Sequence, residues 1–308
     1  MAIVKAISQQ IVGGPEVLQV VEVDTPRPAA GEVLVRVAAT SVNAADWKAR
    51  RGIVDRLGPP PFTLGLDVSG VVAQIGSEVN GFRPGDEVFG MAMGANAENV
   101  AVPVTALAPK PDHLDHVHAA ALPTAALTAW QALAGIGTGD RVLIHAAAGG
   151  VGHLAVQIAK SRGAYVIGTA RTVNHGYLRG LGADEVVDYT ATDFSTALDP
   201  VDMVLDLVGG DYGTRSARVL RPGGRLVDAQ GNDATGDPRY RRFYVHPSGS
   251  ALREISALVA VGRLRVEVDR VMSLADIAEA HRLSESGRVR GKIVLTAWES
   301  TADLSTQA

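Results

Sequence analysis

The stretch that most limits what this chain can fold into is residues 145–160, HAAAGGVGHLAVQIAK. A short apolar run, RVLIHA, leads into it, and Gly149, Gly150 and Gly152 follow at once. Immediately afterwards Val151, Leu154, Ala155, Ile158 and Ala159 recur at helical spacing on one face. Gly163 ends that predicted helix, and AYVIGTA reads as the next strand. Small residues weaken a core. Gathered at a strand-to-helix turn, they let something come close to the backbone.

Read as Ala147-x-Gly149-x-x-Gly152, the turn is a variant of the dinucleotide fingerprint. The first small residue permits a tight turn, the second admits a pyrophosphate to the backbone, and the third lets the helix pack close to the strand. The helix N-terminus adds free N–H groups and a partial positive charge. An NAD site usually carries an Asp or Glu at the end of the second strand, to hold the ribose 2′-hydroxyl. Here that strand ends GTARTVNH, with Arg171 and no carboxylate. A guanidinium grips a 2′-phosphate with charge-assisted bonds, so NADP(H) is expected over NAD.

The pattern around this unit gives the fold class. From about Leu122 onward, apolar strands (RVLIHA, AYVIGTA, EVVDY, VDMVLDLVGG, GRLVDAQG) alternate with helical stretches, as in a parallel sheet covered on both faces. The first third differs. EVLVRVAAT, GVVAQIGS and DEVFGM are strand-like and separated by turn residues, as in a mostly antiparallel β domain. Near the end come a strand (VEVDRVMSL), an amphipathic helix (ADIAEAHRLSESG) and a last strand (GKIVLT), expected to return to the first domain. The expectation is an α/β chain with a β-rich domain over 1–121 and 262–308 and a doubly wound domain over 122–261. Residues after Trp298 read as a frayed tail.

Composition removes several function classes. The 308 residues carry a net charge of −4, which gives no electrostatic footprint for nucleic acid or anionic membrane. No cysteine is present, so disulfides, thiolate zinc ligands and a cysteine nucleophile are excluded. MAIVKAISQQ lacks a signal-peptide core, and AAALPTAALTAW is broken by Pro123 and two threonines, so it reads as a buried helix. The cytoplasm is the expected location. His113, His116 and His118 have metal-like spacing but do not share one helical face, and are read as solvated. RYRRF (239–243) reads as a surface loop, and His145 as structural.

With these motifs in place, the chain resembles the medium-chain dehydrogenase/reductase superfamily, in its zinc-free quinone oxidoreductase (zeta-crystallin-like) branch. The stretches that carry the resemblance are GGPEVLQV, SVNAADWKARRG, LGLDVSGVVAQIGSEVNGFRPGDEVFG, LPTAALTAWQAL, HAAAGGVGHLAVQIAK, LGADEVVDY and VRGKIVL, in order along nearly the whole chain. The resemblance implies a GroES-like catalytic domain, a Rossmann domain, an active site in the cleft and a homodimer. Where zinc-dependent relatives have a Gly-His-Glu motif, this chain has Gly65-Leu66-Asp67, and Lys48 stands where related quinone reductases often have tyrosine.

Carried over by position, Asn43 would lie near the nicotinamide ribose and Thr128 near the nicotinamide. Gly149, Gly150 and Val151 would cradle the pyrophosphate. Arg171 and Tyr189 would take the 2′-phosphate side. Val208 and Gly209 would line the path between the cofactor's two ends, Phe243, Tyr244 and Val245 would flank the nicotinamide, and Arg290 and Lys292 would close the cleft. Each has a structural alternative as a turn cap, a sheet residue, a core aromatic or a solvated cation.

Without a metal, reducing a conjugated carbonyl is easier than polarising a ketone or alcohol oxygen, because charge develops on an oxygen remote from the carbon that receives hydride. Asn43 is a candidate donor to that oxygen, and Asp46 and Lys48 are candidate proton sources, with solvent as a rival. Three functions remain open at this stage. They are a quinone or enone reductase, an enoyl-thioester reductase of polyketide-type metabolism, and a dinucleotide-binding sensor or structural protein without turnover.

Overall fold

A computed structural model describes residues 2–54 and 57–298; the expected tail beyond Trp298 lies outside them. The chain divides into two compact units. The described residues of Met1–Thr124, Pro247–Glu254 and Val268–Ala308 form one, and Ala125–His246 with Ile255–Glu267 form the other.

The first unit is built on a seven-stranded sheet. Its centre is Glu32–Ser41, in which Val33, Val35, Val37 and Ala39 are buried at every second position while Arg36 between them is exposed. Asp67–Ile75 and Asn99–Pro103 pair antiparallel with this strand, as does the late strand Lys292–Thr296, with Val294 opposite Ser41. The C-terminal segment thus belongs to the first unit. Val268–Ser273 adds a parallel edge beside it. Valines from both inner strands, with Phe89 and Leu107, fill the core. A separate three-stranded sheet joins Ile3–Gln9 to Gln19–Asp24 and Phe62–Thr63.

The second unit is a six-stranded, wholly parallel sheet. Its spatial order is Glu185–Val187, Tyr165–Thr169, Arg141–Ile144, Val201–Asp206, Leu220–Asp228, Tyr240–Arg242. Numbered along the chain, that is 3-2-1-4-5-6, the doubly wound order whose ligand crevice opens at the carboxyl ends of the strands, where the order reverses. The reversal falls between Arg141–Ile144 and Val201–Asp206. The helix Gly152–Ser161 buries Leu154, Ala155, Val156, Ile158 and Ala159 completely. Gly163 ends it with φ +84°, a left-handed conformation that suits a residue without Cβ.

One expectation is corrected. RYRRF is not wholly loop, because Tyr240–Arg242 forms the sixth strand, with Tyr240 in register with Leu226. Its arginines hid it from apolar patterning. An edge strand tolerates charge because only one side is paired, and charge there discourages edge-to-edge association.

Candidate active site

Two clusters of candidate residues assemble, one in each unit. In the first unit, Glu32–Ser41 runs through Asn43 into the helix Ala44–Arg50. Asn43 caps that helix, and its backbone N–H donates to Asp46 Oδ2 at 2.8 Å, half of a reciprocal capping box. The other Asp46 oxygen accepts from Gly65 N at 3.2 Å. Asp46 is 2% exposed, and burial pushes its pKa up to about 7, helped by the negative charge of Asp67.

Asp67 is the hub that sequence reasoning did not assign. Its Oδ2 accepts from Ser41 Oγ at 2.5 Å and from Asn43 Nδ2 at 2.7 Å, and its Oδ1 accepts from Thr124 N at 2.6 Å. Lys292 Nζ lies 3.5 Å from Asp67 Oδ2 and donates to Asn43 Oδ1 at 2.6 Å and to Val42 O at 3.1 Å. Lys292, expected to close the cofactor cleft, is 3% exposed, and burial lowers its pKa. Both ends of the Asn43 amide are therefore fixed, oxygen to Lys292 and nitrogen to Asp67. The available signal was a single carboxylate inside the apolar strand run LGLDVSGVV. Lys48 is half-buried on the same helix as Asp46, with its ammonium 5.6 Å from the Trp47 ring centroid. Arg290 is exposed, and its N–H reaches Asp269 Oδ1 at 3.4 Å.

A titration test follows from Asp46. Its native pKa lies above the ordinary carboxylate value of 3.8, so ionising it favours the unfolded chain. Its contribution to stability is full below about pH 4 and is lost as pH rises through about 7. Asp46→Asn cannot ionise, so its melting temperature relative to wild type should climb between pH 5 and pH 8, by about 4 °C or more. A difference that stays flat across that range would show an Asp46 ionised throughout.

In the second unit, the glycine turn follows Arg141–Ile144 at the carboxyl end of the sheet. Ala146 takes φ +48° there. Gly149 and Gly150 are partly exposed, and Gly149 N–H donates to Ala146 O at 3.0 Å. Gly152 packs so tightly that a Cβ would sit 2.3 Å from Ala146 O. His153 Nδ1 reaches Gly149 O at 2.9 Å, and Glu267 N–H donates to its Nε2 at 3.1 Å. The turn is thus rigid, bare of side chains and open to solvent, which fits a diphosphate. Beyond the second strand, exposed Arg171 donates from Nε to Tyr189 Oη at 3.1 Å. Asp188 pins the same corner by accepting from Thr172 N at 2.8 Å, Thr190 N at 2.9 Å and both threonine hydroxyls. Those bonds, led by the hydroxyls, hold its pKa well below the usual carboxylate range.

Past the switch point, Asp206 Oδ1 accepts from Val208 N at 2.8 Å and Gly209 N at 3.0 Å. Burial raises the Asp206 pKa. Phe243 N–H donates to Asp228 O at 2.8 Å, Phe243 and Val245 are half-buried, and Tyr244 is exposed with the Arg242 guanidinium 4.6 Å from its ring centroid. Thr128 is buried on the helix Pro123–Ala132.

Other candidates have structural partners. His145 is fully buried between Thr169 Oγ1 and Ser216 Oγ, with Phe194 and Tyr212 packed on its ring; burial pushes its pKa down to about 3. His116 is less solvated than expected, with Ser69 Oγ at 2.8 Å and Glu87 Oε1 at 3.3 Å. Among the described residues, no group of three or more His, Asp or Glu could hold a metal ion.

Residues 29–112 match the alcohol dehydrogenase GroES-like domain, and residues 181–295 match the zinc-binding dehydrogenase family. The chain is similar to a 2-methylene-furan-3-one reductase of Solanum lycopersicum, with 34% identity covering 86% of this chain and 71% of that one. Among solved structures it is similar to the quinone oxidoreductase of Coxiella burnetii, with TM-score 0.91 and 38% identity over 96% of this chain and 99% of that one. It is also similar to the Escherichia coli quinone oxidoreductase complexed with NADPH, with TM-score 0.87 and 30% identity over 95% and 99% of the two chains. With the 3-2-1-4-5-6 sheet and the glycine turn at its switch point, these matches show that the chain belongs to the medium-chain dehydrogenase/reductase superfamily, in its quinone oxidoreductase branch.

Proposed function

We propose that this protein is an NADPH-dependent, zinc-free reductase of quinones or α,β-unsaturated carbonyl compounds. The observation that carries the reading is the Arg171–Tyr189 pair beyond the second strand of a doubly wound sheet, where an NAD site would hold a carboxylate. When bound, the reduced dinucleotide supplies a hydride. Gly149, Gly150 and Val151 offer a bare turn to its diphosphate, and Arg171 and Tyr189 offer donors to its ribose phosphate. Val208 and Gly209, held by Asp206, and the segment Phe243 to Val245 stand at the carboxyl ends of their strands, on the ligand side of such a sheet. Thr128 is assigned to the nicotinamide end. Residues 122–261 are read as the cofactor domain, and 1–121 with 262–308 as the catalytic domain.

The lack of cysteine excludes a thiolate-held zinc, and no His, Asp or Glu group among the described residues could hold one instead, which favours conjugated acceptors. The names of the tomato reductase and the bacterial quinone oxidoreductases support the same substrate class. Asp46 and Lys48, on one helix, are the candidate proton sources, with solvent as their rival. Asn43 is a positioned amide, its orientation set by Lys292 and Asp67. No described helix is long and apolar enough to cross a membrane; a cytoplasmic homodimer is the setting we assign.

Two measurements test this. Arg171→Ala should weaken NADPH binding 10–100-fold, the worth of one or two charge-assisted bonds, while NADH binding stays within about two-fold. Equal losses for both cofactors would mean that Arg171 does not read the phosphate. NADPH oxidation should be seen with 1,4-quinones or short enones. Turnover only with enoyl thioesters would move the protein to polyketide-type chemistry, and tight binding without any turnover would make it a sensor.

A further inference from the structure

The helix Gly152–Ser161 has the glycine turn at one end and a different feature at the other. There lies a cavity of 620 Å³ lined by Lys160, Arg162, Arg263 and Arg265, with Ser161 and Gln157 in its wall. Four of its eleven lining residues are basic and none is acidic, in a chain with 33 acidic and 29 basic residues. Composition alone does not produce such a wall.

A cation at a helix C-terminus has an ordinary use, since it offsets the partial negative charge there. Lys160 and Arg162 are already engaged. Lys160 donates to Asp184 at 2.9 and 3.0 Å, and Arg162 donates to Leu133 O at 2.6 Å and Trp130 O at 3.2 Å. Arg263 and Arg265 do not fit this account. They come from a separate segment, both are exposed, and among the described residues neither guanidinium has a carboxylate within 4.0 Å.

Their backbone is nevertheless fixed. Arg265 N–H donates to Gln157 Oε1 at 2.9 Å, and Gln157 Nε2 donates back to Arg265 O at 2.9 Å, from a side chain that is 7% exposed. Leu264 between the two arginines is 1% exposed, and Arg263 N–H and Leu264 N–H both donate to Leu258 O, at 2.9 and 3.2 Å. A tethered loop therefore holds two guanidiniums at the rim of a concave wall that no acidic residue lines, with Asp184 paired to Lys160 beside it. Like charges gathered this way repel, and an anion relieves that repulsion while accepting several charge-assisted bonds.

We propose that this cavity binds a small phosphate-bearing anion, of the size of a pyrophosphate group, through Arg263 and Arg265 with Lys160 and Arg162 behind them. The site is distinct from the glycine turn, because ten helical residues separate the two by roughly 15 Å. Calorimetric titration of the full chain with inorganic pyrophosphate, with inorganic phosphate in parallel, tests it. With the glycine turn occupied by saturating NADPH, pyrophosphate should bind with 1:1 stoichiometry, more tightly than phosphate, and more weakly as salt rises. Arg263→Ala/Arg265→Ala removes two exposed side chains; its circular dichroism and melting temperature should match wild type, while pyrophosphate affinity falls at least ten-fold. Arg171→Ala should leave that affinity within about two-fold. The proposal is overturned if wild type gives no binding heat at millimolar pyrophosphate, or if the double variant binds it as wild type does.

Discussion

Lys292→Met should destabilise the first unit by about 3–5 kcal/mol, the range seen when one partner of a buried ion pair is removed and the other charge stays behind. The pair is Lys292 and Asp67, 3% and 0% exposed at their side chains. Methionine matches the lysine stem in length, so packing is nearly kept and the loss is electrostatic. Asp67 would keep its bonds from Ser41, Asn43 and Thr124 but lose its positive neighbour. Asn43 Oδ1 would lose its 2.6 Å donor, and the buried Val42 carbonyl its 3.1 Å one. The melting temperature should drop by about 6–15 °C. Lys292→Met/Asp67→Asn supplies the control: removing the stranded charge should recover about half of the loss, whereas additive losses would show that the two residues do not interact. Nicotinamide-dependent turnover should fall in the single variant even at temperatures where it is folded, because the Asn43 amide is no longer held from both sides.

That network marks the limit of what was legible in the sequence. The glycine turn could be read because its parts are local: strand, small residues and helix lie within twenty positions, and hydrophobic periodicity marks both flanks. The parallel sheet was legible for the same reason, as its strands are nearly continuous apolar runs. Arg171 and Tyr189 were each visible, and parallel neighbours in the sheet carry them to one corner, at the ends of Tyr165–Thr169 and Glu185–Val187. Asp67, Ser41, Thr124 and Lys292 come from four distant parts of the chain. Their meeting depends on Lys292–Thr296 pairing with Glu32–Ser41 across some 250 positions, and no periodicity encodes a partner. Lys292 therefore read as a cation at a cleft. Tyr240–Arg242 escaped for the opposite reason: it is local, but its charged edge carries no apolar alternation, and Tyr240 Oη finds its partner in Asp228 Oδ2 at 2.8 Å.

Gly152→Ala carries the other large expected effect, and it tests why the turn is made of glycine. The residue is helical and has no left-handed φ to protect, so the constraint is space. An added Cβ would lie 2.3 Å from Ala146 O and 2.7 Å from Ala147 Cα. Both are backbone atoms, so no side-chain rotation relieves the overlap. Ala146 O is already the acceptor for Gly149 N–H, and Ala147 is packed with no exposed surface, so the strand side does not yield. The helix must then withdraw, opening contacts made by Leu154, Ala155 and Ile158, all fully buried. Overpacking of this kind costs about 3 kcal/mol. Withdrawal also tilts the N–H groups of the first turn away from any diphosphate, so NADPH affinity should fall at least about 100-fold, matching about 2.7 kcal/mol. Gly149→Ala is the comparison, since a Cβ there meets only Ala146 O, at 3.3 Å, and should cost under about 1 kcal/mol of stability. Denaturant melts and cofactor titrations on both variants decide the matter: if Gly152→Ala melts and binds NADPH as wild type does, close approach of helix to strand is not what this glycine provides.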